Sequence, residues 1–314
     1  METQQRSARL LTRPLIVAAM AILCNVLWGS AIPFINLGYR LFAIPSGETA
    51  SQILFAGCRF ALAGALTTAF ASVPGRRLVR PKRENLYMVA VLASLQTILQ
   101  YVLFYIGVAR TTSVKGAIIQ GLDAFVSILI ACYVFRSERM NRLKWIGGAL
   151  GVAGVVLVNL NGSGMTGGLR LTGEGFLMLA MIAASCSSGA IRRFSQREDP
   201  VALSGWQFML GGAVMALVGL LAGGRLRLSG VAAGAVLAYL AALSAVAYTV
   251  WSVLLKYNSV SRIAPYLFLQ PIFGVMLSLI LYPGEPAPLA RYGAALVLVC
   301  ASIVIISRGQ RDDA

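Results

Sequence analysis

The sequence predicts an all-α integral membrane protein, with ten transmembrane helices arranged as two inverted-topology five-helix repeats. Three observations lead there. Of the 314 residues 58% are apolar and only 12% charged, with a mean hydropathy of +0.77, whereas a water-facing surface normally needs about 25% charged residues. Ten apolar segments meet the requirement of roughly 20 residues to cross about 30 Å of hydrocarbon. The last five segments overlay on the first five at a shift of about 147 residues.

The segments can be taken in order. After a polar, basic stretch from Met1 to Arg13, residues 14–36 form an apolar run too long for a signal-peptide core and without a small-residue cleavage pattern, so they are expected to stay attached as the first span. That run carries Asn25, Trp28 and Pro33. Residues 49–73 follow with Arg59 and the pair Gly57 and Gly64. In 85–107, Gln96, Gln100 and Phe104 recur every four residues on one helical face with Tyr101 and Tyr105 beside them. Residues 113–135 contain Asp123, the only acidic residue in the interior of a span. In 142–160, Gly147, Gly151 and Gly154 make a smooth stripe for close helix approach. Segment 174–195 brings Ser185, Ser187 and Ser188, and 200–222 brings Gln207 with Gly212 and Gly219. Ser244, Tyr248 and Trp251 lie in 232–256, and Pro265, Gln270 and Pro271 in 261–282. The last segment is 288–307.

The net charge of +16 is distributed as a topology signal. With the N-terminus cytoplasmic, nineteen of the 27 lysines and arginines fall on the cytoplasmic side, seven on the other, and Arg59 stays inside a span. Cytoplasmic loops retain Lys and Arg, so ten spans with both termini in the cytoplasm are expected. Short basic patches between apolar runs also argue against nucleic-acid binding, which needs a continuous basic face.

The repeat is clearest at Glu138–Gly154 against Glu285–Ala301, where Glu138 pairs with Glu285 and Gly147 with Gly293. Asp123 and Gln270 precede those glutamates by fifteen residues, Arg59-Phe60 aligns with Gln207-Phe208, and Trp28 to Ile32 aligns with Ser188 to Ile191. An odd number of helices per unit forces the second copy, residues 174–307, to enter the bilayer opposite to the first, 14–160, as in many secondary transporters.

These features, with a Trp-Gly late in the first segment, FAGCRF at Phe55–Phe60 and a Glu before a Gly-rich last helix in each half, resemble the drug/metabolite transporter superfamily. The ten-helix EamA-type exporters are the most similar type, and the likeness covers about residues 14–307. It implies a carrier of amino acids, other metabolites, nucleobases or drugs, and supplies the outward direction. The family often has Pro where Ala124 stands, while the second half keeps it at Pro271. The intramembrane Glu of the small four-helix multidrug relatives is missing from the first and sixth segments, which speaks against a proton/cationic-drug exchange of that type.

Ionisable groups at mid-bilayer are expensive and functional by default. Arg59 and Asp123 each lie about ten positions into segments running inward from the same face, roughly 15 Å deep. Two roles stay open: Arg59 offers its guanidinium to a solute carboxylate or phosphate while Asp123 receives an ammonium, or the two form a structural ion pair. Arg59, Asp123, Trp28, Asn25, Gln96, Gln100, Tyr101, Gln207, Tyr248, Trp251 and Gln270 are the candidate solute-binding residues around a polar, aromatic-walled central cavity, and Pro271 is the candidate hinge. The glycine stripes read as packing devices, with those of 142–160 and 288–307 bracing the bundle or meeting a second copy in a homodimer.

The absence of histidine removes a Ser-His-Asp triad, a His-based zinc site and an imidazole relay. The five cysteines lie inside apolar segments, form no CxxC pair, and read as small hydrophobes. No cofactor or metal motif is present. An intramembrane enzyme would need a nucleophile with a base, paired carboxylates or a metal cluster, so the expectation is a secondary transporter of a small organic solute in the inner membrane, an exporter of amino acids or related metabolites. A drug or nucleobase efflux carrier and a facilitative channel are the alternatives.

Overall fold

A computed structural model describes residues 9–45, 47–73, 78–108, 110, 119–159, 171–227, 230–281 and 289–309. Its helices are α1 (Pro14–Leu41), α2 (Thr49–Ser72), α3 (Leu86–Leu92), α4 (Gln100–Val108), α5 (Asp123–Tyr133), α6 (Arg142–Asn159), α7 (Phe176–Phe194), α8 (Pro200–Leu221), α9 (Val231–Tyr257), α10 (Val260–Ile263), α11 (Leu269–Leu281) and α12 (Leu289–Gly309). There is no strand among the described residues. Among the described residues six helices are long and apolar enough to cross a membrane: Pro14–Leu41, Thr49–Ser72, Arg83–Gly107, Gly173–Phe194, Pro200–Leu221 and Val231–Tyr257. α5 and Gly293–Gly309 of α12 are shorter apolar helices. The start of segment 113–135, Lys115 and Glu285 lie outside the described residues.

Local chemistry sets the helix ends. Pro14 and Pro200 open α1 and α8 where a missing N–H costs nothing, and Asp199 caps α8 by accepting from the amides of Val201 and Ala202 at 2.8 and 3.0 Å. Asn141 Oδ1 accepts from Lys144 N at the start of α6. Gly223, at φ +86°, ends α8 in a left-handed conformation that favours glycine. α3 and α4 are one rod joined through a π-helical turn, Ala93–Leu99. Turns of that kind occur often at functional sites, and this one carries Gln96 and Thr97.

Glycine determines the tightest seam. A Cβ at Gly57 would lie 2.3 Å from Ala216 N, one at Gly64 2.4 Å from Met209 N, one at Gly212 2.2 Å from Ala61 N, and one at Gly219 2.6 Å from Leu54 N. The paired numbers rise on α2 as they fall on α8, so the two helices run antiparallel with backbones in contact, which only glycine allows. α6 and α12 are likewise antiparallel: Gly147 faces Ile306 and Gly154 faces Val299. Gly151 receives the Phe268 ring. The glycine stripe of α6 is therefore consumed within the chain, and is not a free surface for a second copy.

One end of the bundle is tied shut. Glu138 accepts from Ser261 N at 3.2 and 3.3 Å and pairs with the buried Lys144 at 3.6 Å. Arg192 donates to the carbonyls of Leu255 and Asn258, closing the C-terminus of α9. Asn258 reaches Leu11 O, Arg262 reaches Thr12 O, and Asn141 reaches Gly309 O, so residues near both chain ends meet here.

Of the cysteines, Cys24 and Cys132 are buried and Cys58 and Cys186 half-buried, as small hydrophobes would be, whereas Cys300 is exposed on the outside of α12.

Candidate functional site

Polar side chains from eight helical segments, α7 with Ser187 and Ser188 among them, converge on a central cavity of about 140 Å³. That volume is enough for roughly ten water-sized spheres. α1 contributes Trp28, α2 Arg59, the π-helical turn and α4 Gln96, Gln100 and Tyr101, α5 Asp123, α9 Tyr248 and Trp251, and α11 Gln270. Nine of the eleven candidate residues thus share one wall system.

Arg59 is 2% exposed. Its Nε and Nη2 donate to Ser244 Oγ at 3.0 and 2.8 Å, and the guanidinium carbon lies 4.9 Å from the centre of the Phe60 ring. Ser244 Oγ in turn donates to Leu240 O at 2.9 Å. Asp123 Oδ1 accepts from Ser185 Oγ at 2.8 Å and from Ser127 Oγ at 3.5 Å. Arg59 and Asp123 therefore form no ion pair with each other: Arg59 is held by the hydroxyl of Ser244 on α9, and Asp123 by those of Ser185 on α7 and Ser127 one turn along α5. The structural ion pair is not the arrangement adopted, because Ser244 on α9 and Ser185 on α7 supply nearer partners. Among the described residues, the only ion pair is Lys144 with Glu138 at the tied end.

Asn25 and Gln207 are buried away from the cavity. Asn25 Nδ2 donates to Ala21 O at 2.7 Å, one turn back on its own helix. Gln207 sits behind the wall, accepting from Thr97 Oγ1 at 2.7 Å and donating to Gln96 Oε1 at 2.9 Å. Sequence position along a segment could not say which way their helices are rotated. Pro271 lies in the first turn of α11, just past the 3₁₀ stretch Ala264–Phe268. It removes the donor that would serve the Leu267 carbonyl one turn back.

Gln120 also lines the cavity, three residues before Asp123 on the same helical face, as do Leu177 and Met181 of α7. Gln120 could have been found as an amide one turn from the single acidic residue. Leu177 and Met181 carry no signal that separates them from lipid-facing apolar residues.

Aromatic rings close the wall. Trp28 meets Tyr248 and Trp251 edge-on, each at 5.2 Å. The Trp28 indole N–H is buried with no acceptor among the described residues. The hydroxyls of Tyr101 and Tyr248, 147 residues apart in sequence, are 2.5 Å from each other. Phe60 and Phe208 stack at 5.4 Å and 13°. Contacts recur in pairs: Phe60 with Tyr101 and Phe208 with Tyr248, and Arg59 with Ser244 and Gln207 with Thr97. Among the described residues no cluster of three His, Cys, Asp or Glu could hold a metal ion.

Comparison with known proteins gives a family match. The model of the EamA-like transporter family matches residues 15–160 and again 171–308. An uncharacterized inner membrane transporter of Escherichia coli, YedA, is 25% identical over 95% of this chain and 92% of its own length. A WAT1-related chloroplastic protein of Arabidopsis thaliana is 26% identical over 81% of this chain, and an uncharacterized transporter of Synechocystis is 26% identical over 65%. The aligned regions span 63% and 66% of those two relatives. A solved crystal structure superposes with a TM-score of 0.76 at 15% identity, covering 94% of this chain and 98% of the other, which shows a shared fold.

Proposed function

The chain belongs to the EamA-like transporter family, and from that premise we propose that it carries a small zwitterionic solute, an amino acid or related metabolite, outward across the inner membrane by alternating access around the central cavity. The observation that carries this is the pair of opposite charges. Arg59 and Asp123 open onto one cavity, each with only neutral hydroxyl partners among the described residues. A buried charge without a counter-ion costs several kcal/mol. A carboxylate at Arg59 and an ammonium at Asp123 would each restore the missing partner. Trp28, Tyr248 and Trp251 would hold the apolar part of the solute.

The carrier would have ten membrane helices in two inverted repeats, with both termini cytoplasmic. Two features support this. Residues near both chain ends lie at one end of the bundle, and the helices that correspond in the repeat, α2 with α8 and α6 with α12, pack antiparallel on each other. The contact between Tyr101 and Tyr248, 147 residues apart, supports a pseudo-two-fold axis between the halves of such a carrier. The Pro271 region, where 3₁₀ passes into α-helix beside Gln270, is the hinge in this scheme.

Purified protein in proteoliposomes, screened with amino acids, nucleobases and cationic drugs, tests the assignment. Losing a charge-assisted bond of about 1.5–3 kcal/mol should weaken carboxylate-bearing solutes about ten- to a hundredfold in Arg59→Ala. Equal binding of carboxylates by parent and variant would remove Arg59 from the site. Flux that neither saturates nor shows trans-stimulation would replace the carrier with a channel.

A further inference from the structure

Arg59 and Gln207 occupy corresponding positions of the proposed repeat, and their partners Ser244 and Thr97 correspond as well. The two halves have diverged at this position. One presents a cation directly to the cavity, while the other has an amide wholly buried behind the wall. We propose that Thr97, Gln207 and Gln96 form a relay that fixes Gln96 as a specificity-determining hydrogen-bond donor toward an oxygen acceptor on the solute, with Gln207 and Thr97 as positioning residues. This rests on the carrier reading and names a feature of its substrate.

The chain of bonds has a direction. Thr97 Oγ1 donates to Gln207 Oε1 at 2.7 Å, which turns the Gln207 amide so that Nε2 donates to Gln96 Oε1 at 2.9 Å. With its oxygen engaged behind the wall, Gln96 is left with its NH₂, a donor-only group, for the cavity it lines. Thr97 and Gln207 are 0% exposed and Gln96 4%, so water does not compete for these bonds. Gly211 packs against Thr97, where a Cβ would lie 2.6 Å from the Thr97 Cβ, which locks the hydroxyl against α8. Gln96 and Thr97 both lie in the π-helical turn, Gln96 lining the cavity as well as bonding Gln207, and Thr97 bonding Gln207 of α8.

The relay therefore favours solutes with an oxygen acceptor over those with only N–H donors. The readout is the affinity ratio between L-leucine and 3-methylbutylamine, the same skeleton without the carboxylate, measured by thermal shift and competition on the full chain. Thr97→Val and Gln207→Met should each lower the ratio about tenfold, and Gln96→Glu, which turns an oxygen to the cavity, should lower it further. A merely structural role would weaken both ligands alike and leave the ratio unchanged in all three variants, and that result overturns the relay. If the ratio falls in Arg59→Ala but not in these variants, the relay fails and the carrier reading stands. If the parent does not prefer leucine to the amine, both fail.

Discussion

Replacing Gly212 by alanine puts the α2–α8 seam under direct test. The added Cβ would lie 2.2 Å from Ala61 N and 2.8 Å from both Ala61 Cα and the Gly57 carbonyl oxygen. Ordinary contact begins near 3.4 Å, and the neighbours are backbone, so no rotamer change relieves the clash. The helices must part by about 1 Å, a gap that forfeits a quarter to a half of the dispersion energy along the contact. Overpacking of this kind costs about 1–3 kcal/mol, against which alanine recovers at most about 1 kcal/mol of helix propensity. A net loss of up to about 2 kcal/mol is expected, read as a lower midpoint in a reversible detergent unfolding titration. Gly234→Ala on α9 is the control: a Cβ there meets nothing within 4 Å, so the same change should be neutral or stabilising. Because Arg59 and Gln207 project from the two sides of this seam, Gly212→Ala should also weaken solute binding. If both variants unfold at the parent midpoint, the glycines do not set the helix spacing.

Two further outcomes follow from buried charges. Asp123→Asn keeps an oxygen for the hydroxyls of Ser185 and Ser127, so it should fold normally and lose any dependence of transport on an imposed pH gradient; an unchanged dependence would exclude coupling through Asp123. At the tied end, Glu138→Gln removes the carboxylate beside the buried Lys144, whose Nζ also donates to the Arg139 carbonyl, and should cost about 1–3 kcal/mol, while Glu138→Gln combined with Lys144→Met should recover most of it in the same titration. If the double variant is no more stable than Glu138→Gln alone, the ion pair is not the source of the loss.

The site was legible to the extent that polarity in an apolar run is informative. Arg59, Asp123, Gln96, Gln100, Tyr101 and Gln270 stand out because hydrocarbon tolerates them only in contact with one another, a ligand or water, and they do line one cavity. Asn25 and Gln207 stood out equally and face elsewhere, because depth along a helix is written in sequence position whereas rotation about its axis is set by which neighbour it packs on. The glycines gave the reverse lesson: their spacing on residues 142–160 announced a close contact but not with what, and the partner is α12 of the same chain.

By itself the sequence determined the membrane as solvent, the apolar segments, the internal shift near 147 residues and the few charged groups placed within those segments, since burying or exposing apolar surface is decided residue by residue. Only the tertiary structure decided the pairings. Arg59 and Asp123 could attract each other in the sequence, but in the fold Ser244 and Ser185 reach them first, and both charges are left facing a shared space. That outcome depends on helix rotation and on distances of a few ångströms between segments more than 60 residues apart, which no one-dimensional pattern encodes.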